Sequence, residues 1–276
     1  MSDTCRSDGN TDLYGLGNRL GIYFQMIAFI IAGRRGVMVE PLGALISSIN
    51  VSLLATFIAV VKAIANGTMR TVDMVIIDSL IFTQVNLPLF SFDLITLLMS
   101  PLAFGMQTLV AWFWFVGLDK LPRTDCPDDY GFFFSEASLY GWFSTLWKVL
   151  SVGLAILTGI AFLAAYSLMA KMTCRSGYTE DESVTERREK AESRKFKELV
   201  FLLFPFTIIM TECTVAWNNL DGVYSVGSVS QLIPLILGIG LVAYMSLCHT
   251  QLDEARHRLE RSQQIQRELH SRYYEQ

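Results

Sequence analysis

The chain is built from long runs of apolar residues broken by short polar ones, with neither the alternation of a strand nor the one-sided stripe of a soluble helix. Crossing the ~30 Å hydrocarbon core of a bilayer takes about 20 apolar residues in a helix, because no water is present there to satisfy exposed backbone groups. Residues 41–61, 94–118, 149–170 and 223–248 reach that length without one charged side chain. Three further runs carry charge inside them: 16–33 holds Arg19, 72–92 holds Asp73 and Asp78, and 199–217 holds Glu212. The pattern predicts an all-α, polytopic membrane protein: a seven-helix bundle over residues 16–249. Its spans fall at about 16–33, 38–61, 72–92, 94–118, 144–170, 199–217 and 226–248, between a short segment 1–15 and a charged segment 250–276.

Lys and Arg set the direction of insertion, since basic loops stay on the cytosolic side. With the N-terminus outside, Arg34, Arg35, the eight basic residues from Lys171 to Lys197 and the five from Arg256 to Arg272 are cytosolic, 15 of the 22 in the chain. The expected topology is therefore N-terminus outside and C-terminus in the cytosol, in the endoplasmic reticulum or the plasma membrane. Asn66-Gly67-Thr68, a glycosylation sequon, falls on the outer side, as do Cys5 and Cys126, a candidate disulfide pair. The first fifteen residues have no basic patch followed by a short apolar core, so no secretory signal peptide is read there. Residues 178–198 and 251–273 read as charged helical extensions into the cytosol that offer a surface to a cytosolic protein partner. Glu254 with Arg258 and Glu268 with Arg272 have the four-residue spacing that joins opposite charges on a helix.

Composition narrows the chemistry. Apolar residues make up 52% of the 276 and charged residues 17%, with a formal charge of -4; a soluble domain has roughly 25% charged residues, and nucleic acid has no basic face to bind. The five cysteines form no CxxC pair and the three histidines all lie after residue 248, so no metal or cofactor is expected and histidine base chemistry inside the membrane is not. Glycines at 15, 17, 238 and 240 suit close helix packing. Trp112-Phe113-Trp114-Phe115 reads as an interfacial aromatic belt.

Asp12-Leu13-Tyr14-Gly15-Leu16-Gly17-Asn18-Arg19-Leu20-Gly21-Ile22-Tyr23, with Glu212-Cys213-Thr214-Val215-Ala216-Trp217-Asn218-Asn219 far downstream, resembles a group of predicted fungal polytopic membrane proteins. The resemblance covers the first and sixth spans and implies a fungal source, not an activity. In architecture alone the chain is similar to the small fungal membrane-bound terpene cyclases, seven-helix proteins of secondary metabolism thought to use buried carboxylic acids. That likeness carries no residue across.

An ionisable group inside a span costs roughly 2.5–3.5 kcal/mol on insertion scales and needs a partner or a wet cavity. At 1.5 Å per residue, Asp78 and Glu212 both fall in the outer half of the membrane, and Arg19 at a similar level. These three, with Asn218, form the candidate site: Glu212 and Asp78 as acids, Arg19 and Asn218 as orienting partners, and Gln25, Asn50, Gln84, Asn86, Gln107 and Gln231 as further lining. A carboxylic acid in such a place keeps its proton and protonates an epoxide or alkene, the opening step of a cyclase acting on an isoprenoid or other lipid-soluble metabolite. The same residues suit a transporter or channel for a small ion or metabolite, or simple helix glue. A seven-helix receptor shares the plan without the signature residues of one. The residues leave these readings open.

Overall fold

The computed structural model describes residues 6–34, 39–86, 94–124, 126, 128–174 and 203–274. A two-residue strand β1 (Ser7–Asp8) leads into a single turn α1 (Thr11–Tyr14) and the helix α2 (Leu16–Arg34). There follow α3 (Val39–Ala65), α4 (Thr71–Asn86) and α5 (Leu94–Trp112), the last running on through a π-helical turn (Phe113–Gly117) to Leu118–Lys120. A hairpin of β2 (Tyr130–Phe132) and β3 (Glu136–Ser138) precedes α6 (Trp142–Cys174). The helix α7 (Leu203–Trp217) ends at β4 (Leu220–Asp221), and α8 (Val229–Tyr274) completes the described chain.

The chain is thus a mostly helical protein, and among the described residues five stretches are long and apolar enough to cross a membrane: Thr11–Ala32, Gly43–Ala65, Ser100–Lys120, Trp142–Ala164 and Val229–Cys248. Their surfaces support a bilayer environment. Val51, Leu54 and Ile58 of α3, Val149, Ile156 and Leu163 of α6, and Ile233, Ile236 and Leu247 of α8 stand exposed, a continuous apolar surface far larger than a water-soluble monomer carries.

Of the two shorter helices α4 is interior, while α7 is partly exposed at Pro205, Ile209 and Ala216. Between Thr71 and Val85 every residue of α4 except Phe82 is buried. It has no solvated face, as expected of a helix enclosed by other helices, and it buries Asp73, Asp78, Ser79, Thr83 and Gln84 along with its apolar residues. Thr83 meets Thr207 of α7 at 2.5 Å, and Phe82 packs edge-on against Phe206. Around this centre, α2 packs most extensively on α8, and α5 on α6. The α2–α8 contact is close because Gly17, Gly21 and Gly238 lack side chains. A Cβ on Gly21 would lie 2.5 Å from the backbone of Pro234, and one on Gly238 2.5 Å from the Gly21 carbonyl oxygen. Gly17-x-x-x-Gly21 is the small-residue spacing that lets membrane helices touch at the backbone. Gly240, by contrast, faces open space.

The helical extension read over 251–273 is continuous with the last apolar stretch: α8 is one helix of 46 residues, about 69 Å at 1.5 Å per residue. Gln, Glu, Arg and Leu, all good helix formers, carry it on past the last apolar turn, and Arg258 pairs with Glu254 at 3.7 Å. Two small sheets are added to an all-α expectation: β1 pairs in parallel with β4, Ser7 opposite Leu220, and β2 with β3 antiparallel. Finally, the 112–115 run is not simply a belt. Phe113 and Trp114 are buried and Phe115 is exposed, because the π-helical turn re-aims two successive aromatics inward.

Candidate functional site

One end of the bundle is knitted together by polar contacts from every loop that reaches it. Asn10 caps α1, accepting from the Leu13 amide at 3.3 Å, and its own amide donates to the Tyr14 hydroxyl at 3.0 Å. Tyr14 in turn donates to Asp73 of α4 at 2.5 Å, while the other Asp73 oxygen accepts from the Arg70 amide at 3.0 Å. The Arg70 guanidinium reaches back to Ser7 Oγ and to the Asp8 carbonyl at 2.9 Å. Asp73 therefore works as an end cap for α4, which is why a carboxylate in the first turn of an interior helix is tolerated.

Below this layer lies the ion pair of α2 and α7. Arg19 is fully buried; its Nη1 donates to Glu212 Oε2 at 2.5 Å and its Nη2 to the Val223 carbonyl at 3.0 Å. Tyr23, one turn further along α2, donates its hydroxyl to Glu212 Oε1 at 2.9 Å. Tyr224 sets its ring 5.4 Å from the guanidinium carbon. Both carboxylate oxygens are thus engaged, one by a cation. The two halves of the sequence resemblance meet here, Arg19 and Tyr23 from one and Glu212 from the other.

Asp78 stands apart from that pair. Among the described residues its partner is the Trp114 indole, Nε1 to Oδ2 at 3.3 Å, with no cation against it. Trp114 stacks on Trp147 at 5.7 Å and 10° between planes, and meets Phe113 and Phe143 edge-on at 5.0 and 5.8 Å. The indole N–H of Trp147 is buried with no hydrogen-bond partner. The structure therefore joins Arg19 to Glu212 and places Asp78 apart from them, against one indole of an aromatic cluster. Of the further lining, Gln84 donates to Gln25 at 3.0 Å and Gln231 accepts from the Gly17 amide at 3.3 Å. Asn50 and Gln107 are buried.

Asn218 orients a loop, not an acid. Its side chain accepts from the Tyr130 amide at 2.9 Å and donates to the Tyr130 carbonyl at 2.8 Å, adding a third partner to β2 beside β3. Trp217 stacks on Phe132 at 5.7 Å. The rest of this loop gathers on buried Asp129, which accepts from Thr71, Tyr140 and Thr124, the first two at 2.7 Å. Arg123 lies over the Tyr140 ring at 3.8 Å. Cys126 is disulfide-bonded, Cys213 and Cys248 are free, and Asn66 is exposed in the α3–α4 turn, where Gly67 takes φ of 68°. Cys5, Asp93 and the 178–198 segment lie outside the described residues. Among the described residues no group of three His, Cys, Asp or Glu side chains is placed to hold a metal.

Burial, followed by the neighbouring Asp129, pushes the Tyr140 hydroxyl up to about 12 from its ordinary 10, against the opposing Thr71 bond and Arg123 charge. A group whose folded pKa is raised stabilises fully below its unfolded value and loses that contribution as pH rises through the folded one. Thermal stability should thus fall between pH 10 and 12, and Tyr140→Phe should make the fall shallower in that window. Equal slopes for the two proteins would remove Tyr140 from the account.

Tyr23 could have been found from sequence, since it lies four residues from Arg19 on one helix face. Asp129, Tyr140 and Trp147 had no such signal: Asp129 meets Tyr140 only through the fold of the loop, and Trp147 meets Trp114 only through the packing of α6 on α5. The chain matches no family model, no curated protein and no solved structure.

Proposed function

We propose that the chain crosses the membrane seven times, with its N-terminus outside, and that Asp78 is the acid of a cyclase-type reaction on an isoprenoid or similar lipid-soluble substrate. The topology is supported by contacts at one end of the bundle. Arg70 touches Ser7, Thr71 touches Asp129, and β1 pairs with β4. The N-terminal segment, the α3–α4 turn, the 121–141 loop and the 218–228 loop therefore share one side. The disulfide at Cys126 favours the oxidising side for all four. On this reading α4 and α7 also cross, α4 enclosed by protein and α7 with part of its surface, including Ile209, facing lipid. A glycosylation reporter before Met1 should be modified and one after Gln276 should not; the reverse pattern overturns the orientation.

The single observation that carries the chemistry is the setting of Asp78, a buried carboxyl group with a neutral indole donor and, among the described residues, no counter-charge, the indole itself lying against three further aromatic rings. Glu212 is the weaker candidate, since both its carboxylate oxygens are already engaged, one by Arg19 and one by Tyr23. In the reaction the Asp78 O–H bond breaks and the proton adds either to a terminal epoxide oxygen, whose C–O bond then breaks, or to an alkene carbon, whose π pair forms the new C–H bond, leaving a carbocation and the Asp78 carboxylate. The cation is then quenched by successive alkene π pairs forming ring C–C bonds, and loss of a proton from the last cation returns one to the carboxylate. Ring faces stabilise the passing positive charge without reacting with it. The net change is an isomerisation, so no cofactor is consumed. Protein reconstituted in liposomes with a panel of polyprenyl epoxides and alkenes should yield a cyclised isomer of unchanged mass. Recovery of the whole panel unreacted would refute the assignment.

A further inference from the structure

The β2–β3 hairpin ends in an aromatic tip that the bundle does not bury. Phe134 is 81% exposed and Phe133 39%, and the tip is well anchored from behind by Phe132 on Trp217 and by Asn218 on Tyr130. Phe134 takes φ of 57°, a left-handed conformation that is costly for a bulky residue and is the natural place for glycine. A large, strained, solvent-facing phenylalanine held on a rigid base is unfavourable in water on every count.

The neighbouring helix indicates what covers it. Phe133 packs edge-on at 4.9 Å against Trp142, the first residue of α6, which is itself 59% exposed. Both α6 and its apolar stretch begin at Trp142, so the residue stands where a spanning helix would enter the bilayer. Phe133 and Phe134 lie beside this end of a helix that exposes Val149, Leu150 and Val152 further along. Exposed Glu136, two residues beyond Phe134, limits how deep the tip sits. Aromatic rings backed by a charge are the composition of the bilayer interface, where a ring is buried among headgroups while the charge stays wet.

We infer that the Phe133–Phe134 hairpin tip is inserted in the lipid interface of the N-terminal side, with Trp142, as a membrane anchor separate from the spanning helices. The occupant is lipid: the tip fits the boundary between headgroups and acyl chains and needs no protein partner. The anchor fixes the 121–141 loop at the height of the membrane surface, and with it Asn218 and the outer end of α7.

The test adds one tryptophan at a time to the full chain in lipid nanodiscs. Phe134→Trp should contribute blue-shifted emission that is quenched by lipids brominated on the acyl chain and is insensitive to aqueous iodide. Asn66→Trp, in the exposed α3–α4 turn, supplies the water-facing control, with red-shifted emission quenched by iodide. Phe134→Gly relieves the backbone strain and should fold at least as well as the parent, so that loss of folding is not confused with loss of insertion. An added tryptophan at 134 that behaves like the one at 66 overturns the proposal. So does quenching of Phe134→Trp by iodide in nanodiscs without quenching by the brominated lipids, because the membrane would then offer the tip no shelter.

Discussion

Glu212→Gln is expected to deplete the folded protein, not to leave an abundant inactive one. The substitution keeps the side chain's shape and its bond from Tyr23 but removes the charge facing Arg19, whose side chain is fully buried and whose Nη1 lies 2.5 Å from the Glu212 carboxylate. An orphaned buried charge costs about 3–5 kcal/mol, a large share of the roughly 5–15 kcal/mol by which most folded proteins are stable. The remaining Arg19 contacts, to the Val223 carbonyl and the Tyr224 ring, solvate the guanidinium without neutralising it. Arg19→Gln in the same background should restore much of the lost abundance, since two neutral amides can bond across the α2–α7 contact. Membrane abundance and the thermal midpoint in detergent measure both effects. A Glu212→Gln protein as abundant and as stable as the parent would show that the pair carries little of the fold.

Helix existence was legible because length and lack of charge are enough to predict it, and this served even for α4 and α7, with their internal carboxylates. What a linear pattern gives about a side chain in a helix is its depth, through the rise per residue. Arg19 and Glu212 come to one level by that arithmetic and are in contact. Azimuth is different. Asp78 shares the level but turns toward Trp114, and the rotation depends on a π-helical turn in α5 that no local sequence signal announces. The same turn moves Phe113 and Trp114 from an expected belt into the interior. Asn218 was read as an orienting partner of the acids; it lies one residue past the end of α7 and bonds the backbone of Tyr130. The 121–141 loop had no periodicity to read, and its order rests on one carboxylate, Asp129, that collects hydroxyls from three separate positions.

Asp78→Asn separates chemistry from scaffolding at the second carboxylate, and the two roles predict effects of opposite sign. Asparagine matches aspartic acid in size and its Oδ1 can still accept from the Trp114 indole, but it has no acidic proton. If Asp78 is the acid, turnover of a polyprenyl substrate should fall by a factor on the order of 100 or more, the usual contribution of a positioned proton donor. Stability should hold or rise, because the buried carboxyl has no cation beside it and a carboxylate in a spanning helix is itself unfavourable by roughly 2.5–3.5 kcal/mol on insertion scales. Lost activity with retained or increased stability is the mark of a group kept for function against the interest of the fold. Asp78→Glu, which keeps the proton but moves it by one methylene, should recover part of the activity while straining the packing of Trp114 against Trp147 and Phe143. Abundance, thermal midpoint and product formation measured together on the two variants decide the matter. An Asp78→Asn protein that remains abundant and fully active would strip Asp78 of the catalytic role.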